Sequence, residues 1–229
     1  MPVKKNLPVF IYWVAVLAGC LVSELNIPIA DYFIKPLLMP LLLIWMALEI
    51  PSGKRPGAIF AGLFFSWLGD IFLMFDKTYP LCFILGLASF LLTHILYTTW
   101  FFSRQKTMAT NSKRWYFAIP VFGYATLLVA LLYPDLGSLK VPVMLYAFVI
   151  SLMLISTIVF PYVKHTRLFL ISGAIWFVVS DSLLAINKFS FPVPLASAMI
   201  RISYAVAQFL IIGAIIRYRN NSSVVNLGT

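Results

Sequence analysis

Two aspartates, Asp70 and Asp181, lie inside long apolar runs of this chain, and Lys35 and Arg201 lie inside two others. An ionisable side chain in hydrocarbon costs several kcal/mol, so such residues mark either a functional interior or an ion pair that glues helices. His94, Tyr97, Tyr204 and Gln208 add polar groups to the same runs. Helical spacing sorts them. Arg201, Tyr204 and Gln208 fall at i, i+3 and i+7 on one face. Ser66 shares a face with Asp70, His94 with Tyr97, and Asp181 with Lys188. At 1.5 Å of rise per residue, Asp70 lies roughly 7–8 Å, Asp181 about 9 Å and Arg201 about 12 Å from the outer ends of their runs. Lys35 is shallower, and His94 and Gln208 are deeper. Two acids and several hydrogen-bonding groups thus converge at one level, which favours a site over helix glue.

The elements that must position them are membrane-spanning helices. Of the 229 residues 62% are hydrophobic and only 10% charged, and the mean hydropathy is +0.97. Such a chain cannot cover its own surface in water. Runs of about 20 apolar residues span a bilayer, and eight occur, near 8–23, 32–50, 57–75, 80–102, 115–133, 140–160, 168–187 and 193–216. Unbroken apolarity of this length excludes a barrel, whose strands alternate. The loops are short, so the whole of 1–229 is read as one all-α polytopic membrane domain. Lys4, Lys5, Lys54, Arg55, Arg104, Lys106, Lys113, Arg114, Lys164, Arg167, Arg217 and Arg219 fall on one side, against Lys77, Lys140 and Lys188 on the other. The positive-inside rule then places both termini in the cytoplasm. This also explains the net charge of +10: it is topology with some attraction to anionic membrane lipid, and no nucleic-acid partner is expected. A bacterial inner membrane is the expected location. Leu17-Ala18-Gly19-Cys20 has the form of a lipoprotein cleavage box, but with so many spans following we read it as part of the first span. Cys20 and Cys82 have neither disulfide nor metal spacing, and no metal or other cofactor is expected.

The chain also echoes itself. Gly62-Leu-Phe-Phe-Ser-Trp-Leu-Gly69-Asp70 parallels Gly173-Ala-Ile-Trp-Phe-Val-Val-Ser180-Asp181, with glycine eight residues before each acid and a small residue directly before it. Lys35-Pro36 weakly matches Lys140-Val-Pro142. We read two four-helix pseudo-repeats, about 8–102 and 115–216, related by an axis along the membrane normal. The two aspartates are then expected to face each other.

Several of these motifs together carry a resemblance. They are Gly62-x-x-x-Ser66-x-x-Gly69-Asp70, Phe83-x-x-Gly86-x-x-x-Phe90-x-x-x-His94-x-x-Tyr97, Ser180-Asp181-Ser182-Leu183-Leu184-Ala185-Ile186-Asn187-Lys188-Phe189, Tyr204-x-x-x-Gln208, and Phe33-Ile34-Lys35-Pro36. Over roughly residues 10–216 the chain resembles the YhhN-type lysoplasmalogenases. The resemblance implies an eight-span ether hydrolase that cleaves the vinyl-ether bond of a lysophospholipid, the lysoplasmalogen, to a fatty aldehyde and a glycerophospho-ethanolamine or -choline. It implies that Asp70 and Asp181 are the catalytic pair. Vinyl-ether hydrolysis needs a proton on the alkene carbon and water on the carbon bonded to oxygen. Two close acids in a low-dielectric site resist double ionisation, which suits one to donate and the other to orient water. Lys35, Arg201 and Lys188 are expected near the phosphate or, alternatively, paired with the acids. Tyr204, Gln208, His94, Tyr97, Ser66 and Asn187 are expected to position water or headgroup. The competing readings are a small lipid flippase or proton-coupled transporter using the same acids, and a scaffold in which they are structural. The oligomeric state is open.

Overall fold

The computed structural model describes residues 3–25, 27–105, 112–159 and 164–225. Within them the regular elements are helices, and no strand occurs. The α-helices are α1 (Val3–Glu24), α2 (Pro28–Ile34), α3 (Leu38–Glu49), α4 (Gly57–Met74), α5 (Pro80–Gln105), α6 (Ala118–Leu132), α7 (Lys140–Val159), α8 (Lys164–Phe189) and α9 (Ala196–Val225). Among the described residues eight stretches are long and apolar enough to cross a membrane: Asn6–Glu24, Ile29–Glu49, Gly57–Met74, Pro80–Ser103, Arg114–Asp135, Gly137–Val159, His165–Phe189 and Ala196–Asn220. They match the eight expected spans, and the chain is an integral membrane protein. Lys106, in the expected basic loop, and residue 160, at the expected end of the sixth span, lie outside the described residues.

The second span is broken where the sequence reading drew it continuous. Lys35–Leu37 forms a 3-10 turn between α2 and α3. Pro36 and Pro40 cause this, because neither has an N–H to continue the ladder. Pro40 leaves the Pro36 carbonyl without its usual donor, and Trp67 Nε1 on α4 donates to that carbonyl at 2.9 Å. Lipid supplies no donor for a freed backbone carbonyl, so a side chain from the next span must. The break thereby fastens α4, the Asp70 helix, to its neighbour.

Packing follows hairpins. α4 lies along α5, and α8 along α9. α1 lies against α3 and α9, α5 against α7, and α7 against α6 and α8. The main apolar core runs through the bundle, with Tyr12, Met39, Leu63, Tyr97, Phe177 and Ile211 fully buried, and a smaller one gathers Leu132, Leu136 and Val143. α6 stands apart: of its side chains only Leu132 is buried. The two glycines that precede the aspartates have a structural use. A Cβ on Gly62 would run into the Tyr97 ring. At Gly173 it would come 2.8 Å from Ile211 Cγ1 and 3.0 Å from the Ala207 carbonyl oxygen. Gly173 therefore lets the backbones of α8 and α9 touch. Gly173→Val is expected to destabilise the protein by about 1–3 kcal/mol through overpacking, read as a lower midpoint in thermal unfolding in detergent.

Candidate functional site

Asp70 is 3% exposed and belongs to a ladder between α4 and α9. Tyr204 Oη donates to Asp70 Oδ2 at 3.1 Å. One turn along, Gln208 Nε2 donates to Ser66 Oγ at 2.9 Å. The four-residue spacing on each helix makes these two rungs. Ser66 Oγ in turn donates to Thr93 Oγ1 at 3.1 Å, and Tyr97 Oη donates to Gln208 Oε1 at 2.9 Å. Ser66, Tyr97, Tyr204 and Gln208 therefore meet as the helical faces foretold, and they hold α4, α5 and α9 together. Lys35, half-buried on the 3-10 turn, and Arg201 are the cations whose fields reach Asp70.

Asp181 has a different set of partners. Tyr146 Oη on α7 donates to Asp181 Oδ2 at 2.6 Å. His94 Nε2 on α5 lies 3.3 Å from the same oxygen and 3.0 Å from Tyr146 Oη. An aromatic contact links the two sets of partners. The Phe177 ring sits 4.6 Å from the His94 ring and 5.5 Å from the Tyr204 ring, centroid to centroid, in edge contact with both. The two carboxyls thus have no hydrogen-bonding partner in common among the described residues. Asp70 is held by Tyr204 on α9, and Asp181 has His94 of α5 beside it.

Asp181 also borders a cavity of about 410 Å³ between α5, α6, α7 and α8. Its wall includes Phe83, Phe90, Val121, Leu128, Ile150 and Val178, and Asp181 is the one charged residue among the described lining residues. Tyr124 on α6 donates to Ser182 Oγ at 2.8 Å, next to the acid. An apolar cavity of this size with a few polar groups at one place is the usual form of a small-molecule site.

Three expected ligand residues have partners within the protein. Arg201 Nη2 makes an ion pair with Asp31 Oδ1 at 2.7 Å. Asn187 Oδ1 accepts the Val193 amide at 3.0 Å and so pins the loop before α9. Lys188 Nζ donates to Asp76 Oδ2 at 2.7 Å and lies 4.7 Å over the Phe83 ring, which lines the cavity. Lys188 thus stands against a residue of the cavity wall.

A family model, the YhhN family, matches residues 30–215. The chain belongs to the YhhN family. The human and bovine proteins named Lysoplasmalogenase TMEM86A are each 35% identical to it over 168 residues, which is 70% of this chain and 65% of theirs. The match thus spans just under two thirds of these relatives' length. No solved structure matches the chain.

In this YhhN-family protein, two polar residues near Asp181 were missed by the sequence reading: Tyr146 and Tyr124. The chain has 11 tyrosines, and neither of these stands at helical spacing from an acid, because its partner is on another helix. Asp31 was missed as well, although it stands four residues before Lys35, an i, i+4 spacing that the sequence shows.

Proposed function

We propose that this protein is a lysoplasmalogenase, an alkenyl-ether hydrolase of the membrane that releases a fatty aldehyde from a lysoplasmenyl lipid. The observation that carries the reading is a single carboxyl, Asp181, among the described residues that line a largely apolar cavity. Such a wall accepts a hydrocarbon chain and brings its alkenyl end to one acid. The family membership and the names of the two relatives support the same reaction.

The chemistry balances with no group beyond water. The carboxylic acid of Asp181 gives its proton to the alkene carbon next to the ether-bearing carbon. The C=C pair forms the new C–H bond, and the positive charge is shared between carbon and ether oxygen. Water adds to that carbon and returns a proton to the Asp181 carboxylate. The hemiacetal then passes its hydroxyl proton to the ether oxygen as the C–O bond breaks, leaving aldehyde and glycerophospho-base. Asp70 is assigned the second carboxylate. It stabilises the cationic intermediate by its field across a low-dielectric interior, which does not require contact. Lys188, over Phe83 at the cavity wall, is assigned the lipid phosphate, and Lys35 a supporting charge near Asp70. Tyr204, Gln208, Ser66 and Tyr97 hold the Asp70 ladder. With the basic loops cytoplasmic, both termini are inside and the acids lie towards the outer leaflet. The two-half reading is supported by matching neighbours, α4 along α5 and α8 along α9.

The test is aldehyde release by purified protein from a panel of lysolipids in detergent. Lysoplasmenyl lipids are expected to yield aldehyde, and ester and saturated-ether analogues none. Uptake of the intact lipid into vesicles with no aldehyde formed would instead establish a transporter. Asp70→Asn is expected to lower kcat by about 10- to 100-fold through loss of charge near the intermediate, with KM little changed, as measured on the same substrate.

A further inference from the structure

Beside the cavity, Asp181, Tyr146 and His94 close a triangle whose sides are 2.6, 3.0 and 3.3 Å. Tyr146 and Asp181 line the cavity, whereas His94 is fully buried and does not. The order is the reverse of the usual hydrolase arrangement, in which the imidazole faces the substrate and the carboxylate stands behind it. Here the carboxyl faces the cavity and the imidazole backs it.

The surroundings of the ring decide where its proton sits. His94 Nδ1 meets Met153 Sδ at 3.3 Å, and a thioether is a weak acceptor. Nε2 meets a carboxyl oxygen and a phenol, both strong acceptors. One ring edge is taken by Phe177. The same Phe177 ring meets Tyr204, the partner of Asp70. A neutral imidazole in this place carries its proton on Nε2 and donates it to Asp181 Oδ2. Two donors, Tyr146 O–H and His94 Nε2–H, then converge on one oxygen of the carboxyl. The other oxygen, Oδ1, is left to carry the reacting proton.

We propose that His94 and Tyr146 form a two-donor cradle for Asp181. They fix Oδ1 as the oxygen that protonates the substrate, and they take up the negative charge left when the proton departs. Both are positioning residues. The inference rests on the reaction proposed above and adds two residues to its machinery. Donors fixed in advance on a group that gains charge in the transition state are worth most where water is excluded.

The chain has two histidines, His94 and His165, so protein labelled with ¹⁵N-histidine gives two imidazole spin systems, and His165→Gln assigns them. The cradle predicts the Nε2–H tautomer for His94, with shifts that move in Asp181→Asn while those of His165 do not. Tyr146→Phe and His94→Leu are expected to lower kcat by about 10- to 100-fold each with KM changed less than threefold. His94→Gln, whose amide can reach to the same oxygen as a donor, is expected to recover part of the loss. An Nδ1–H tautomer for His94 overturns the proposal, as does wild-type kcat in both Tyr146→Phe and His94→Leu. Thermal unfolding of each variant separates lost folding from lost turnover, and the tautomer is read on the wild type, whose folding is not in question. Failure of the wild type to release aldehyde would sink the reaction assigned to the site, while the tautomer signals would still decide the cradle.

Discussion

Asp181→Asn lowers aldehyde release by about 10²- to 10⁴-fold, the range set by losing a general acid, and leaves the bundle folded. The substitution preserves shape and keeps an oxygen to accept the Tyr146 hydroxyl, which now sits 2.6 Å from Oδ2. What it removes is the transferable proton and the carboxylate that recovers it from water. No other charged group lines the cavity among the described residues, so no neighbour can take over. Binding of the chain rests on the apolar wall, and KM should move little. The measurement is steady-state aldehyde formation with thermal unfolding alongside. Turnover within threefold of the wild type would remove Asp181 from the chemistry.

Ala147→Trp is expected to cut kcat/KM for long-chain substrates by about 100-fold and to spare short-chain ones. Ala147 lines the Asp181 cavity next to Tyr146, and an indole there occupies a large share of its roughly 410 Å³. Each buried methylene contributes about 0.8 kcal/mol. Excluding about four of them costs roughly 3 kcal/mol, or about a hundredfold. The readout is kcat/KM across a series of chain lengths. An unchanged length profile would show that the hydrocarbon chain lies elsewhere. Because α6 borders the cavity and buries only Leu132, this helix is also where relaxation around the indole would occur, and a partial recovery for intermediate chains would report it.

The reading of Asp70 and Asp181 as one pair needs refinement in the light of their partners. Their equivalence in the sequence, each eight residues after a glycine, has a counterpart in packing, since both glycines make room for a neighbouring helix. Their environments differ. Asp70 is bonded to Tyr204 within a ladder and lies near Lys35 and Arg201. Asp181 borders a cavity and is bonded to Tyr146 and His94. A shared sequence pattern does not make the neighbours alike, because Asp181 meets a tyrosine of α7 and Asp70 a tyrosine of α9. The expectation for Arg201 changed for a similar reason. Its face on α9 was legible, whereas its partner Asp31 sits on the short α2, which Pro36 and Pro40 separate from α3.

The sequence by itself determined what depends on local composition and period. The eight apolar stretches, the shared faces Arg201–Tyr204–Gln208 and Ser66–Asp70, and the cost of acids in hydrocarbon all follow from the order of residues along single helices. The tertiary structure alone decided which acid borders a cavity, which tyrosines serve it, and where the Arg201 and Asn187 side chains are spent. Those outcomes depend on which helices are neighbours and how they are rotated about their axes. Close packing at Gly62 and Gly173 sets that arrangement, and no spacing within one helix encodes it.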